Sequence, residues 1–268
     1  MVSPLKAVVF DWAGTMIDFG SCAPVEALIA AFAEDGVALT AAEARRDMGR
    51  AKRDHVRAAL GGPRIVEAWT AAKGVAPSEA DVERIYAALE PLMTEAAGRH
   101  TDLIPGALAA LADARARGLK VGSNTGYTRA MMQSILKAAA LQGYVPDALV
   151  CAGETVEGRP TPLMLWKLWA ELGVHPAHAC VKVDDAEVGI EEGRAAGCWT
   201  VGVAASGNAV GLSLAEFEAL DADDRRLRVA AASAALSEAD AHYVINTVAD
   251  LPGVLDAIEA RLSAGERP

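Results

Sequence analysis

Short apolar runs that alternate with helix-like stretches constrain the fold of this chain more than any other feature. The runs are KAVVF, LKVGS, DALVC, ACVKV and CWTVGV, and a later run, AHYVI, precedes a helix predicted to end near Leu262. Uninterrupted apolar runs of this length are typical of strands that are buried on both faces of a parallel sheet. Their alternation with helices therefore predicts an α/β fold with a Rossmann-like parallel-sheet core.

A strand-free gap separates the first of these runs from the second. Residues 20–100 contain four helix-like, Ala-rich segments and no run that is typical of a strand. A loop of that length does not fit inside a compact domain. We therefore predict an all-helical cap domain at 20–100, inserted into a catalytic core made of 1–19 and 101–268. The hinges are predicted near 19–20 and at 101–105.

The charge of the chain limits its partners. Its 36 acidic and 25 basic residues give a formal net charge of -11, which disfavours nucleic acid as a partner. No uncharged run reaches the ~20 residues of a membrane span, and the N-terminus lacks the pattern of a signal peptide. Four cysteines without a C-x-x-C pair are typical of reduced thiols. We expect a cytoplasmic protein that binds neither nucleic acid nor membrane.

Carboxylates follow two of the predicted strands. Asp11 comes directly after KAVVF, and Asp184 and Asp185 come directly after ACVKV. Because ligands of open parallel sheets bind at the carboxyl ends of strands, we expect these residues to converge. Asp11 could attack an electrophilic phosphorus, and paired carboxylates suit a hard cation such as Mg²⁺. A turn aspartate or a helix N-cap explains either motif alone, but the combination predicts one acidic site.

Two further motifs could hold an anion at the same edge of the sheet. In GSNTGYT, Ser123 and Thr125 offer hydroxyl groups, and Gly126 exposes backbone N–H near the start of a helix, which suits a phosphate group. In GRPTP, Arg159 offers a fixed fork of donors. Taken singly, an ordinary loop and a solvated surface arginine explain these motifs as well or better.

A basic helix in the predicted cap carries a candidate amine nucleophile. Met48, Lys52 and His55 are spaced i, i+4 and i+7, so they are predicted to share one helix face. Clustered cations should lower the pKa of Lys52 and leave some neutral amine to attack an aldehyde. The alternative is an ordinary solvated basic face. The neighbouring stripe of cations consists of Arg46, Arg50, Arg53 and Arg57.

The order of these motifs resembles the haloacid dehalogenase-like superfamily. Most phosphatases of that superfamily carry a second aspartate two residues after the nucleophile, which protonates the leaving oxygen, whereas this chain has Ala13. That departure fits the phosphonoacetaldehyde hydrolase family, which carries D-W-A-G-T at the start and M-G-x-x-K-x-x-H in the cap. Residues 11–15 match the first motif. The second is matched by Met48, Gly49, Lys52 and His55, and the similarity extends to Cys22, Tyr127 and Arg159.

The resemblance implies hydrolysis of the carbon–phosphorus bond of phosphonoacetaldehyde to acetaldehyde and phosphate. Asp11 would form an aspartyl-phosphate, and Lys52 would form a Schiff base with the aldehyde. The resemblance also implies a homodimer joined through the caps. The implied Mg²⁺ ligands are Asp11, the Ala13 carbonyl and Asp185, with Asp184 as a further candidate. The other implied catalytic residues are Met48, His55, Cys22 and Tyr127, and the implied substrate contacts are Gly49, Ser123, Thr125, Gly126 and Arg159.

Several alternatives stay open at this point. His55 could be a packed histidine, and Cys22 could be a small buried hydrophobe. Some members of the family place a further aspartate at the position of Gly189, so Asp184 or Glu187 could replace it near the metal. The rival functions are a phosphatase acting on a small phosphate ester, a dehalogenase that needs no metal, and a non-catalytic protein that binds phosphoryl groups.

Overall fold

The protein forms a six-stranded parallel sheet in this computed structural model, which describes residues 3–268. The strands are β1 (Ala7–Phe10), β2 (Lys120–Thr125), β3 (Ala148–Cys151), β4 (Cys180–Asp184), β5 (Trp199–Val203) and β6 (Tyr243–Ile245). Their order is β3-β2-β1-β4-β5-β6, and every neighbouring pair is parallel. The predicted Rossmann-like parallel-sheet core is confirmed.

Both faces of the sheet are buried, as the uninterrupted apolar runs predict. Successive side chains of a strand point to opposite faces. In β1, Val8 and Phe10 belong to one hydrophobic cluster, whereas Ala7 and Val9 belong to another that includes Leu165. Helices therefore cover the strand on both sides, which explains why its sequence lacks polar alternation.

Five helices occupy residues 22–99, which we call the insert. Sequence analysis predicts four helical segments there, whereas the structure has five, of which α2 has only five residues and is too short to show a period. Within the insert α1 packs against α5. Helix α5 also contacts the helix Arg129–Leu141, which belongs to the sheet layer, by which we mean the strands and the helices outside the insert. That the insert is a separate cap domain stays a prediction. The helices are α1 (Cys22–Glu34), α2 (Ala41–Arg45), α3 (Lys52–Leu60), α4 (Pro63–Lys73) and α5 (Glu79–Arg99).

Seven helices connect or follow the later strands. They are α6 (Ala107–Ala116), α7 (Arg129–Leu141), α8 (Leu163–Leu172), α9 (Glu187–Ala196), α10 (Leu214–Ala219), α11 (Ala222–Glu238) and α12 (Leu251–Ser263). Sequence analysis predicts neither α10 nor α11. A capping box marks the start of α10, because Ser213 Oγ accepts from the Glu216 N–H at 3.3 Å and Glu216 accepts from the Ser213 N–H at 2.8 Å. Its S-x-x-E pattern is the missed signal. In the range 3–268, every helix is too short or too polar to cross a membrane.

The register of the sheet brings the predicted polar residues to one edge. Phe10, at the end of β1, pairs with Ser123 of β2 and with Val183 of β4. Asp11 and Asp184 therefore emerge beside each other at the carboxyl ends of neighbouring strands. Parallel sheets bind their ligands at this edge.

The close packing of α9 on the sheet generates a stability prediction. A Cβ atom at Gly193 would lie 2.5 Å from Thr200 Cγ2 and 3.1 Å from Lys182 Cβ. We predict that Gly193→Ala lowers the free energy of unfolding by roughly 1–3 kcal/mol, the usual cost of overpacking. Gly98, in α5, is the control, because nothing among the described residues lies within 4 Å of its Cβ position. Gly98→Ala should raise stability by about 0.5–1 kcal/mol. Urea denaturation measures both changes, and equal effects would contradict the close contact.

Candidate active site

Asp11 lies at the end of β1 with its carboxylate buried. Its backbone N–H donates to the Val183 carbonyl over 3.0 Å, which ties the residue to β4. One carboxylate oxygen lies 2.9 Å from Nη2 of Arg159. Burial and the charge of Asp184 raise the pKa of Asp11 to about 6, against the opposing effect of Arg159. Asp11 is therefore mostly ionised at neutral pH, as a nucleophile or a metal ligand must be.

Three buried carboxylates form an acidic cluster at this edge. One oxygen each of Asp11, Asp184 and Asp185 lies within 4.8 Å of the others. Within the part of the chain that the structure describes, Glu187 is not a member of this group. Carboxylate oxygens are the ligands that Mg²⁺ prefers, so the donor set fits the predicted ion.

The two adjacent aspartates differ in their neighbours. Asp184 lies 2.9 Å from Lys182 Nζ and 3.3 Å from Arg159 Nη1. Burial raises the pKa of Asp184, but these two cations outweigh it and hold that pKa below its usual range. Asp184 also accepts from the Ala186 N–H at 3.0 Å, but it does not cap α9, whose N-cap residue is Ala186. The charge of Asp184 is therefore already compensated by the protein.

The Asp185 carboxylate forms no ion pair with a cation among the described residues. Burial, followed by the charges of Asp11 and Asp184, raises the pKa of Asp185 well above its usual range. Its carboxylate accepts from the Asn208 N–H at 2.7 Å and from Thr15 Oγ1 at 3.5 Å. These neutral donors orient the group but add no positive charge. Asp185 and Asp11 are therefore the pair that a divalent cation would neutralise.

Two glycines make room for the acidic cluster. Gly14 has φ +82, and a Cβ atom there would collide with the Asp185 carboxylate. A Cβ atom at Gly189 would collide with the Asp184 carboxylate in the same way. Asp184 therefore occupies the space beside Gly189, the position at which some members of the resembled family carry an aspartate. Of the two alternatives left open by the sequence, this placement favours Asp184 over Glu187.

A buried polar network that sequence analysis missed supports the cluster from beneath. Asn124 Nδ2 donates to both carboxylate oxygens of Glu192, at 2.8 and 2.9 Å. Asn124 Oδ1 accepts from Lys182 Nζ at 2.5 Å and from Arg159 Nη2 at 2.9 Å. Arg159 Nε also lies 3.0 Å from Glu192. Arg159 thus has a carboxylate partner on each side, and is not the solvated surface residue of the alternative reading.

A small cavity lies directly above the acidic cluster. Its volume of about 20 Å³ leaves room for one or two water molecules. Ser123 lies outside it and donates to the Phe10 carbonyl at 2.7 Å. The cavity alone is too small for substrate, but Lys52 and Arg159 also line an adjoining open pocket of about 570 Å³. Its lining includes these predicted site residues: Asp11, Ala13, Met48, Gly49, Lys52, Thr125, Gly126, Tyr127, Arg159 and Asp185.

The insert meets the sheet edge at Gly126. A Cβ atom at Gly126 would lie 2.6 Å from the Arg50 carbonyl oxygen and 2.9 Å from that of Gly49. Thr125 Oγ1 accepts from the Tyr127 N–H at 3.2 Å, which shapes the turn. The predicted phosphate seat therefore lies directly under the segment that precedes Lys52.

Lys52 reaches the cavity from the first residue of α3. Its Nζ lies 3.8 Å from Met48 Sδ and 5.0 Å from the centre of the Tyr127 ring. The prediction that Met48, Lys52 and His55 share one helix face is wrong for Met48, which lies in the turn before α3. Gly49, with φ +89, breaks the helical pattern there. The turn nevertheless brings the sulfur to the amine.

The pKa of Lys52 falls to about 8, and its main cause is not the predicted one. Burial lowers it most and Arg159 adds to the effect, while Asp11 and Asp185 oppose it. The arginine stripe was the wrong cause, because its members are partly or fully exposed and three of the four pair with acids. Arg53 lies 3.0 Å from Glu83, for example. Arg50 forms an ion pair with Asp47, and Arg57 forms ion pairs with Asp54 and Glu79.

Two predicted catalytic residues lie away from the cavity lining in the described chain. His55 Nε2 and the Ala44 carbonyl are hydrogen-bonded at 2.8 Å, and burial and Lys52 lower the pKa of His55 to about 3. His55 is therefore neutral at pH 7 and donates from Nε2. Cys22 begins α1, and burial and the charge of Asp18 raise its pKa to about 11, so it is a thiol. These contacts match the packed readings of both residues.

Comparison with known proteins agrees with this geometry. A family model described as haloacid dehalogenase-like hydrolase matches residues 5–197. The phosphonoacetaldehyde hydrolase of Paraburkholderia xenovorans is 47% identical over 264 residues, which cover 98% of this chain and 99% of that protein. The phosphonoacetaldehyde hydrolase of Vibrio cholerae is 46% identical over 272 residues and the full length of both chains.

Solved structures extend the comparison. A phosphonoacetaldehyde hydrolase like protein from Oleispira antarctica superposes with a TM-score of 0.98 and 45% identity, over 100% of this chain and 97% of that one. A β-phosphoglucomutase from Clostridium difficile has a TM-score of 0.69 at 15% identity, over 97% of this chain and 99% of that one. At that identity the second match shows the fold alone.

The two buried lysines of the site predict opposite effects on stability. Because the pKa of folded Lys52 is lowered, its burial costs stability below about pH 8, and the cost fades as pH rises toward the unfolded value. Lys52→Met should therefore raise the free energy of unfolding at pH 7 by on the order of 2 kcal/mol, and by less at pH 9.

Lys182 is the matched control, because it is buried beside a carboxylate partner. Lys182→Met leaves Asp184 with one cation fewer and should lower stability by roughly 3–5 kcal/mol. Urea denaturation at both pH values, with chelator present, measures the two variants. A destabilised Lys52→Met protein at pH 7 would mean that the amine is well solvated or well paired.

Proposed function

Because the chain belongs to the phosphonoacetaldehyde hydrolase family of haloacid dehalogenase-like hydrolases, we propose that it cleaves the carbon–phosphorus bond of phosphonoacetaldehyde. The products are acetaldehyde and phosphate. Relatives with that name match the chain over nearly its full length, which supports this substrate.

One observation carries the proposal beyond the family name. The Lys52 amine and the Asp11 carboxylate line the same buried cavity, and Ala13 lines it as well. An aspartate in place of Ala13 would serve as the acid for an oxygen leaving group. An amine with a lowered pKa instead suits a substrate that carries an aldehyde.

Cleavage of a carbon–phosphorus bond needs an electron sink, since the leaving carbon would otherwise depart as a carbanion. The neutral Lys52 amine adds to the aldehyde carbon. Loss of water gives an imine, and a proton from solvent converts it to the protonated form. Asp11 then attacks phosphorus. The electron pair of the breaking carbon–phosphorus bond moves into the imine, which becomes a neutral enamine.

Two hydrolytic steps complete the cycle. Water attacks the aspartyl-phosphate, which releases phosphate and restores Asp11. The enamine takes a proton at carbon, and water hydrolyses the resulting imine to acetaldehyde and free Lys52. Ionised Asp11 and partly neutral Lys52 coexist near pH 7, because their pKa values are about 6 and about 8. The two nucleophiles are therefore available at the same pH.

The acidic cluster fits one Mg²⁺ ion, which Asp11, Asp185 and the Ala13 carbonyl would hold. When bound, the ion supplies positive charge to the phosphoryl oxygens. The uncompensated charge of Asp185 supports this assignment. Asp184 is paired with Lys182 and Arg159, and it supports the ligands without binding the ion itself.

The cavity walls supply the remaining contacts. Arg159 lies 2.9 Å from Asp11, so its guanidinium adjoins the oxygens of a phosphoryl group placed on that carboxylate. Thr125 and the Gly126 backbone line the same space and would hold those oxygens as well. Ser123 is engaged with the Phe10 carbonyl, so Thr125 is the better hydroxyl candidate.

Met48, Gly49 and Tyr127 determine where the Lys52 side chain lies. Met48 Sδ and the face of the Tyr127 ring lie beside the amine, and neither group carries a negative charge. Gly49 permits the turn, because a Cβ atom there would lie 2.7 Å from Val188 Cγ2. We assign His55 and Cys22 to packing at the starts of α3 and α1, in place of the proton transfer that the resemblance implies.

Location and assembly belong to the proposal as well. Four cysteines that are all free support a reducing compartment, and we propose the cytoplasm. A homodimer joined through the inserts is proposed from the family resemblance alone.

The proposal is tested by assaying both products. Purified protein incubated with phosphonoacetaldehyde and Mg²⁺ should release phosphate and acetaldehyde in equal amounts. Chelation of the metal should stop the release of both, since Asp11 and Asp185 then repel the phosphoryl group. Lys52→Arg keeps the charge but cannot form an imine, and should lower turnover by at least about 10³-fold.

A parallel panel of small phosphate esters serves as the control. Release of phosphate from esters, with no products from phosphonoacetaldehyde, would replace the proposal with the phosphatase alternative. Near-normal turnover by Lys52→Arg would keep the substrate but eliminate the imine.

A further inference from the structure

Arg45, the last residue of α2, extends from the insert into the sheet layer. Its Nη1 donates to the Gly20 carbonyl at 2.7 Å and to the Ser21 carbonyl at 3.2 Å. Its Nη2 donates to the Gly211 carbonyl at 2.9 Å. Gly20 and Ser21 lie where the chain enters the insert, and Gly211 lies beyond β5. One side chain thus joins three segments that are distant in sequence.

Asn208 and Arg45 bind each other in both directions. Arg45 Nη1 donates to Asn208 Oδ1 at 3.1 Å, and Asn208 Nδ2 donates to the Arg45 backbone carbonyl at 3.0 Å. The seat for the guanidinium needs a glycine, because a Cβ atom at Gly211 would lie 2.5 Å from Arg45 Nε. Asn208 itself is buried. This is a fitted contact between insert and sheet layer, unlike the exposed ion pairs on α3.

The loop that receives Arg45 also holds the acidic site. The Asn208 N–H donates to Asp185 Oδ2 at 2.7 Å. Two residues earlier, Ser206 Oγ donates to the Gly14 carbonyl at 2.8 Å, next to the candidate ligand Ala13. Asn208 therefore contacts the insert through its side chain and Asp185 through its backbone.

From these contacts we infer that Arg45 is a positioning residue that latches the insert onto the sheet layer and couples that closure to the orientation of Asp185. The inference rests on the proposed metal site. The cavity above the acidic cluster holds only one or two waters, although an open pocket of about 570 Å³ adjoins it at Lys52 and Arg159, so movement of the insert would give substrate more room beside Asp11. Movement of α2 away from the sheet layer withdraws Arg45 from Asn208. The loop that orients Asp185 is then released. The carboxylate freed in this way binds metal more weakly than the carboxylate that the loop holds.

Coupling of this kind is reciprocal, so it can be measured from the metal side without substrate. The probe is Mn²⁺, and its binding to full-length protein is followed by the electron paramagnetic resonance signal of the free ion. We predict that Arg45→Ala raises the Mn²⁺ dissociation constant by at least about fivefold, within the usual range of coupling between sites. Arg45→Lys keeps one charged donor and should restore part of the affinity.

Two further variants make the comparison specific. Asn208→Ala removes the reciprocal contact but keeps the N–H that Asp185 accepts from, and should also weaken Mn²⁺ binding. Should Arg45→Ala fail to fold, Asn208→Ala carries the test. Arg46→Ala is the matched control, because Arg46 is exposed and its side chain forms no hydrogen bond or ion pair with the residues described by the structure.

Hydrogen exchange supplies the second readout. Amide exchange in residues 44–60 should be faster in Arg45→Ala and Asn208→Ala than in Arg46→Ala. Amide exchange in the strands should be the same in all three variants. Mn²⁺ affinity equal to that of the native protein in both latch variants would overturn the inference. Neither readout involves phosphonoacetaldehyde, so the latch can fail while carbon–phosphorus cleavage stands, and the reverse.

Discussion

The buried guanidinium of Arg159 is the group on which the rest of the site depends. Its three nitrogens face Asp11, Asp184 and Glu192 at 2.9 to 3.3 Å. The parallel register brings Asp11 and Asp184 to one sheet edge, and α9 adds Glu192. Without buried cations, the mutual repulsion and desolvation of these carboxylates would be prohibitive. Arg159 and Lys182 bring two positive charges to these carboxylates. Asp185 adds a further carboxylate at the cavity, where a divalent cation completes the balance.

Two buried lysines show how partners, more than residue type, determine chemistry. Lys182 Nζ lies beside the Asp184 carboxylate and the Asn124 amide oxygen, so it belongs to the ionic framework. Lys52 Nζ is equally buried, but its near neighbours are a thioether and an aromatic ring. These groups solvate a cation poorly compared with water, which explains the lowered pKa of Lys52. The contact of the insert with the sheet edge at Gly126 shields this environment from water, so the proposed latch at Arg45 would also affect the reactivity of Lys52.

The sequence predicts the parts of the site that depend on local position. Asp11 and Asp185 follow apolar strand runs, and the parallel register then brings them together. The framework residues Lys182 and Glu192 escape prediction, because a lysine in a strand or a glutamate in a helix shows its burial only in three dimensions. Arg45 escapes for the same reason, since its partner Asn208 lies 163 positions away. The helix break before Lys52 was within reach, because a glycine inside a helical pattern signals it.

The central claim is that Lys52 forms an imine with the substrate while Asp11 takes the phosphoryl group. Sodium borohydride added during turnover of phosphonoacetaldehyde reduces such an imine and leaves a stable adduct, which peptide mass mapping locates. The account predicts loss of activity together with an ethyl group on Lys52, because reduction after carbon–phosphorus cleavage retains only the two-carbon fragment. Continued release of phosphate with an unmodified Lys52, or an adduct on another lysine, would contradict it.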